Sequence, residues 1–392
     1  MKNSTKAIHT PYERRDAFDA LQIPVYTSMA FEFDDAAYMS DVFCGKVTVP
    51  DYSRVLNPTV MHFEDRVKNL TGAYQVSAFS SGMAAISALL ISVASAGKNI
   101  VSSRHMFGNT YLLVTRTLQR FGVEPRLVDL CDIEEVEKAV DKDTCCIFLE
   151  SVTNPQTEIA DTRSLSKIAK KYGIPLIADT TIIPFTEFDG KEIGLDFQVV
   201  SSTKYISGGA TSMGGLIIDY GNFPKVSETI KKEIVFNLGG YMTPQAAYMQ
   251  IMGLETLQVR YNRQAESAKK IAEYLSKLPK VKAVGYPGLT DHPNYSLSRE
   301  LYGPTAGAMV TFDLKDKDEC FNFINSLQLF HRATNLFDNR SLAIHPSSTI
   351  FGPLSDEEKR EMDVKDTTIR LSIGLEDPED LIEDLTQAIE KA

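Results

Sequence analysis

Between residues 72 and 201 the chain alternates short apolar runs with amphipathic stretches of helical period. A short strand ends at Phe79, and Met83 onward reads as helix. Further strands are expected at Asn99–Ser103, Pro125–Leu130 and Cys145–Glu150, separated by helices over Thr110–Arg120 and Ile133–Val140. A helix over Thr162–Tyr172 stops at Gly173, and two more strands end at Asp179 and Ser201. Such alternation implies an α/β fold with a mainly parallel sheet and helices on both faces. Upstream, Asn57 and Pro58 open a helix that runs to about Leu70.

Three places in this frame carry chemistry. Lys204 follows Ser201, Ser202 and Thr203 at a strand end, and Gly208, Gly209, Gly214 and Gly215 leave room beside it. A partly desolvated lysine loses its proton and becomes a nucleophile toward carbonyls. Asp179 ends the Pro175–Ala178 strand, where open α/β sheets bind ligands. Ser80-Ser81-Gly82 forms a turn into a helix whose first amides suit a phosphate. A nucleophilic lysine, an acid for a pyridinium nitrogen and a phosphate cup are the parts of a pyridoxal phosphate site.

Five segments extend the pattern: YSRVLNPT (52–59), SSGMAAI (80–86), ESVTNP (150–155), SSTKYISGG (201–209) and IRLSIGLEDPEDLI (369–382). Through them the chain resembles the Cys/Met-metabolism family of pyridoxal phosphate enzymes, and within it the O-acetylhomoserine sulfhydrylases. The family also includes cystathionine synthases and lyases and methionine γ-lyase. The resemblance implies the aspartate aminotransferase-like fold type I. It also implies an arm over 1–55 that reaches a neighbouring subunit, a cofactor-binding domain over 56–255 and a smaller α+β domain over 256–392. A homotetramer, built as a dimer of dimers, is expected with it.

The same resemblance assigns roles. Lys204 would be joined to pyridoxal 5'-phosphate and would carry protons once substrate displaces it. Asp179 would pair with the pyridine nitrogen. Gly82 and Met83 amides, with Ser201 and Thr203 hydroxyls, would hold the phosphate. Tyr52 and Arg54 match residues that hold the neighbour's cofactor phosphate. Arg370 matches the clamp on the substrate carboxylate, and Asn154 a polar residue near the cofactor's ring oxygen and that carboxylate.

Departures narrow the substrate. Phe107 stands where the family usually stacks a tyrosine on the ring; it can stack but cannot donate a proton. Asn109 stands where methionine γ-lyases have a cysteine. Thr180 follows the aspartate in place of asparagine, which reads as packing variation. Arg340 aligns with a glutamate that in cystathionine-type members receives a distal ammonium; a cation there would repel it. Asn335 resembles the sulfhydrylases, and Phe337 replaces a glycine. The expected reaction converts O-acetyl-L-homoserine and sulfide to L-homocysteine and acetate. The rivals are a γ-lyase acting on methionine and a pyridoxal phosphate protein without catalysis.

Composition excludes other classes. A net charge of −11 over 392 residues argues against a nucleic-acid surface. No run of eighteen apolar residues occurs and the amino terminus is polar, so neither a membrane span nor a signal peptide is expected. Five cysteines, two of them adjacent, suit a reducing cytoplasm, and no Cys/His spacing matches a metal site. The glycines after Lys204 form neither GxxxxGK[ST] nor GxGxxG, which excludes a nucleotide-binding loop.

Overall fold

The computed structural model describes residues 1–10 and 18–392, so 11–17 of the expected arm lie outside the described residues. Seven strands form the larger sheet: β1 (Gln75–Phe79), β2 (Asn99–Ser103), β3 (Glu124–Val128), β4 (Thr144–Glu150), β5 (Leu176–Asp179), β6 (Phe197–Val200) and β7 (Gly215–Asp219). Their order across the sheet is β1-β7-β6-β5-β4-β2-β3. The run from β6 through β5, β4 and β2 to β3 is parallel, while β7 lies antiparallel between β1 and β6. The mainly parallel sheet expected from the alternation is present. Its inner strands are buried on both faces, which is why they read as continuous apolar runs.

The apolar run of β7 is too short to show in the sequence, where Gly214 and Gly215 at its start read as room beside Lys204. The glycine has a packing reason. Gly215 pairs with Phe79, and a Cβ there would come 2.1 Å from the Ser81 carbonyl oxygen. That clearance lets β7 pass directly beneath the turn that opens the next helix. The Gly82–Val93 helix starts where the Ser81 hydroxyl accepts the Ala84 amide at 3.1 Å. The Pro58–Thr71 helix starts on Asn57, whose Oδ1 accepts the Thr59 amide, and ends on left-handed Gly72. The stretch expected as one helix over 110–120 bends instead, from an α-turn (Gly108–Leu112) through a wide turn to a tight one ending at Phe121.

Four antiparallel strands form the second sheet: β8 (Ala283–Gly285), β9 (Met309–Asp313), β10 (Leu342–Ile344) and β11 (Thr368–Ser372), ordered β10-β11-β9-β8. The Lys317–Ser326 and Pro378–Lys391 helices pack against it with their apolar faces. β10 is only three residues long and carries too little periodicity to show in the sequence. The Tyr295–Tyr302 helix precedes β9. A 32-residue helix, Pro244–Leu275, joins the two sheets. One apolar core runs along it from Met242 and Ala247 to Ile271 and Leu275 and continues into both sheets.

The topology fixes where a site can form. β4, β5 and β6 run parallel, so Glu150, Asp179 and Ser201 emerge at one edge. β7 starts at that edge, beside the turn after β1. Gly215→Ala should therefore destabilise the fold by about 1–3 kcal/mol through overpacking. Urea unfolding of the cofactor-free protein measures this.

Candidate active site

Lys204 lies just past β6, its amine largely enclosed, and donates to Asn335 Oδ1 at 2.7 Å. Arg370 lies in β11 and is 2% exposed. One of its terminal nitrogens donates to Asn154 Oδ1 at 3.2 Å, the other to the Asn335 carbonyl at 3.3 Å. Lys204, Asn335, Arg370 and Asn154 are thus linked through consecutive hydrogen bonds, although they come from four distant parts of the sequence.

The charges acting on Lys204 are Arg370 and Asp179. Burial comes first and the Arg370 cation second in lowering its ammonium to about 8; Asp179 opposes them. Burial alone lowers Arg370 to about 9. Its Nε is buried without a partner, and its bonded neighbours are neutral. A buried cation held only by neutral groups is costly, and an anion at this point would relieve it.

Asp179 is held by Thr181, whose amide and hydroxyl both donate to Oδ1, at 2.9 and 2.6 Å. Its Oδ2 accepts no hydrogen bond among the described residues, and the residue keeps some surface open to the cleft. Burial raises its carboxyl, against the Thr181 bonds and the Lys204 charge. Glu150, its partner across the β4–β5 pair, is pushed up to about 8 by burial first and by Asp179 second. Glu150 accepts the Phe107 amide at 2.6 Å, which ties the Phe107 segment to the Asp179 strand end. Neither Thr181 nor Glu150 was singled out from sequence. Glu150 opens one of the five motif segments, so a signal existed; Thr181 left none beyond following Asp179 by two.

At the cup, the first-turn amides of Gly82 and Met83 have no acceptor among the described residues. Ser201 packs against this turn so closely that a Cβ on Gly82 would lie 2.6 Å from the Ser201 Cβ. Thr203 differs from expectation: its hydroxyl donates to the Gly214 carbonyl at 3.1 Å and accepts the Gly214 amide at 3.0 Å. Its proton is spent on the backbone, so it now braces the loop rather than facing a ligand.

Arg340 also departs from expectation. It is exposed and pairs with Asp338 at 3.3 Å, so the neighbouring carboxylate offsets the charge that would repel an ammonium. Tyr52 and Arg54 stack on each other at 5.5 Å, and Arg54 donates to the Phe236 carbonyl. Neither bonds to the cup within one chain. Thr180, by contrast, is fully buried and donates to Gln198, as a packing residue would.

These residues fit pyridoxal phosphate. A carboxylate with a free oxygen, an amine of depressed pKa and two unpartnered helix-start amides lie at one sheet edge. The close approaches at Gly82 and Gly215 shape the cup between them. No group of acidic, His or Cys side chains among the described residues has metal-binding geometry, and no described helix is long and apolar enough to cross a membrane.

The low value for Lys204 has a measurable sign. Between about 8 and its ordinary 10.5 the folded protein holds fewer protons than the unfolded chain. Its burial therefore opposes folding below about pH 8, and the penalty lifts as pH rises through that window. Acylation of Lys204 in the cofactor-free protein, followed by peptide mass spectrometry, should show a midpoint near 8. An ordinary lysine titrates at about 10.4.

Comparison with known proteins agrees with the geometry. The sequence model of the Cys/Met metabolism PLP-dependent enzymes matches residues 4–390. An L-methionine gamma-lyase of Pseudomonas putida is 34% identical, over 98% of this chain and 96% of that protein. An O-acetyl-L-homoserine sulfhydrylase of Corynebacterium glutamicum is 32% identical, over 97% of this chain and 95% of its own length. Among solved structures, one described as an O-acetylhomoserine (thiol)-lyase from Campylobacter jejuni superposes with a TM-score of 0.95. It is 34% identical, both chains are covered completely, and it holds a pyridoxyl-phosphate lysine. Its fold is therefore that of the fold type I pyridoxal phosphate enzymes, and the chain belongs to the Cys/Met metabolism PLP-dependent enzyme family.

Proposed function

We infer that this pyridoxal phosphate enzyme replaces the γ-acetoxy group of O-acetyl-L-homoserine with sulfide, breaking the Cγ–O bond and forming a Cγ–S bond, to give L-homocysteine and acetate. The observation that carries the choice is Phe107, tied by its amide to Glu150 beside Asp179. A phenylalanine cannot protonate a leaving group. A carboxylate such as acetate leaves without a proton, since side-chain carboxylic acids have pKa values of about 4. A thiolate leaves less readily, with a thiol pKa of about 8.5. An ester therefore suits this site better than methionine.

In this reading Arg370 takes the substrate carboxylate, the anion its unpartnered Nε calls for. Asn154 orients the guanidinium. Pyridoxal phosphate, when bound, supplies the electron sink for charge left at the substrate's α-carbon. Asp179 would keep the ring nitrogen protonated through its free oxygen. Gly82 and Met83 amides and the Ser201 hydroxyl would hold the phosphate, joined by Thr203 if its hydroxyl turns from Gly214. Lys204 Nζ takes the α-proton, and Asn335 Oδ1 steers that amine. Near pH 8 the amine is half protonated, so it serves as base and then as acid.

The arm supports an assembly reading as well. Phe18, Leu21, Met29 and Phe43 are exposed, as are parts of Tyr52 and Arg54. We place them against a second subunit, where Tyr52 and Arg54 would meet the neighbour's phosphate, in a tetramer of two such dimers. The three-part division of the chain at residues 55 and 255 belongs to the same reading.

Purified enzyme with O-acetylhomoserine and sulfide should form homocysteine. A higher kcat/KM for 2-oxobutyrate release from methionine without sulfide would overturn the assignment in favour of a γ-lyase. Arg370→Lys loses the forked contact and should raise KM for the amino acid about ten- to hundredfold while changing kcat less. Steady-state kinetics separates the two constants.

A further inference from the structure

Two residues flank the Lys204–Asn335 bond without touching it. Tyr205 follows the lysine on the larger-sheet side, and Phe337 follows Asn335 by two on the loop before β10. Their rings lie face to face, 3.9 Å between centroids and 6° from parallel. Both are buried, Phe337 completely. The Tyr205 ring is itself held in place: its hydroxyl accepts the Ala308 amide at 3.0 Å, and the Tyr261 ring lies T-shaped to it at 5.2 Å between centroids.

Phe337 takes a left-handed backbone, φ 58°, where a bulky residue is a genuine outlier. Its amide donates to Ser372 Oγ at 2.7 Å, on the strand that carries Arg370. Residue 337 is thus fixed to β11 by its backbone and to Tyr205 by its ring. Asn335, whose carbonyl also meets Arg370, hangs on the same short loop. Strain of this kind persists only where surrounding contacts over-determine it. Here those contacts set the distance between a loop of the second sheet and the lysine of the first.

We propose that Phe337 is a positioning residue, whose stack on Tyr205 holds Asn335 Oδ1 against the Lys204 amine. The proposal rests on Lys204 being the cofactor-bearing amine. The groups facing Lys204 are Asp179 from β5, Arg370 from β11 and Asn335 from the loop, so a shift in its titration reports on their placement.

The test is Phe337→Gly, which relieves the backbone but removes the ring. In the cofactor-free full chain the acylation midpoint of Lys204 should move upward, as the loop loosens and water reaches the amine. Reactivity at pH 7.5 should fall about three- to tenfold. In the loaded enzyme kcat should fall more than KM rises, since substrate still meets Arg370. Phe337→Met, which keeps bulk but not the flat face, should move the midpoint the same way by less, and it decides the matter if the glycine variant does not fold. Lower melting temperature with an unmoved midpoint would show a merely structural ring and overturn the proposal. Wild type and Lys204→Ala, compared for pyridoxal phosphate absorbance, test the underlying reading separately. If both bind alike, that reading fails; if only wild type binds while the Phe337 midpoint stays put, the positioning role alone fails.

Discussion

The site depends on an amine taken out of water. Lys204 has Arg370 on one side and Asp179 on the other, and burial outweighs the attraction of the aspartate. At physiological pH a lysine in water is almost wholly protonated and unreactive. Here burial lowers the ammonium to about 8, and Asn335 Oδ1 accepts from the amine and orients it. The neighbouring ends of β4, β5 and β6 contribute to that arrangement, and the second sheet supplies Arg370 across it.

The polypeptide alone leaves this cluster electrostatically unfinished. Arg370 is a buried cation among amides, Asp179 has one unbonded oxygen, and Glu150 beside it is pushed toward its neutral form. A ligand with a protonated ring nitrogen and a substrate with a carboxylate would settle the first two. Binding would then stabilise the folded state by mass action, because the unfolded chain offers no such arrangement. The tolerance of this strain follows from the core, which continues through both sheets along the Pro244–Leu275 helix. A shared core holds the two halves close enough for Asn335 to reach Lys204.

What the sequence showed and what it hid divide along physical lines. Lys204, Asp179 and Gly82 were legible because each follows a buried strand and carries chemistry that few other roles require. Arg370, Asn154 and Asn335 were reachable through resemblance, and in the structure consecutive hydrogen bonds link them, through Asn335, to the lysine. β7 and β10 were hidden because their stability comes from neighbouring strands rather than from their own short apolar runs. Side-chain direction was hidden as well. Thr203 turned to Gly214 and Arg340 to Asp338, and neither turn leaves a trace in local sequence. Phe337 looked like an unexplained replacement of glycine until its ring met Tyr205.

The most direct measurement is to incubate the protein with pyridoxal phosphate, reduce it with borohydride, digest it and map the labelled peptide. The account predicts one stable pyridoxyl adduct, on Lys204, formed at stoichiometric cofactor. A label spread over surface lysines, or concentrated on any residue other than Lys204, would contradict it.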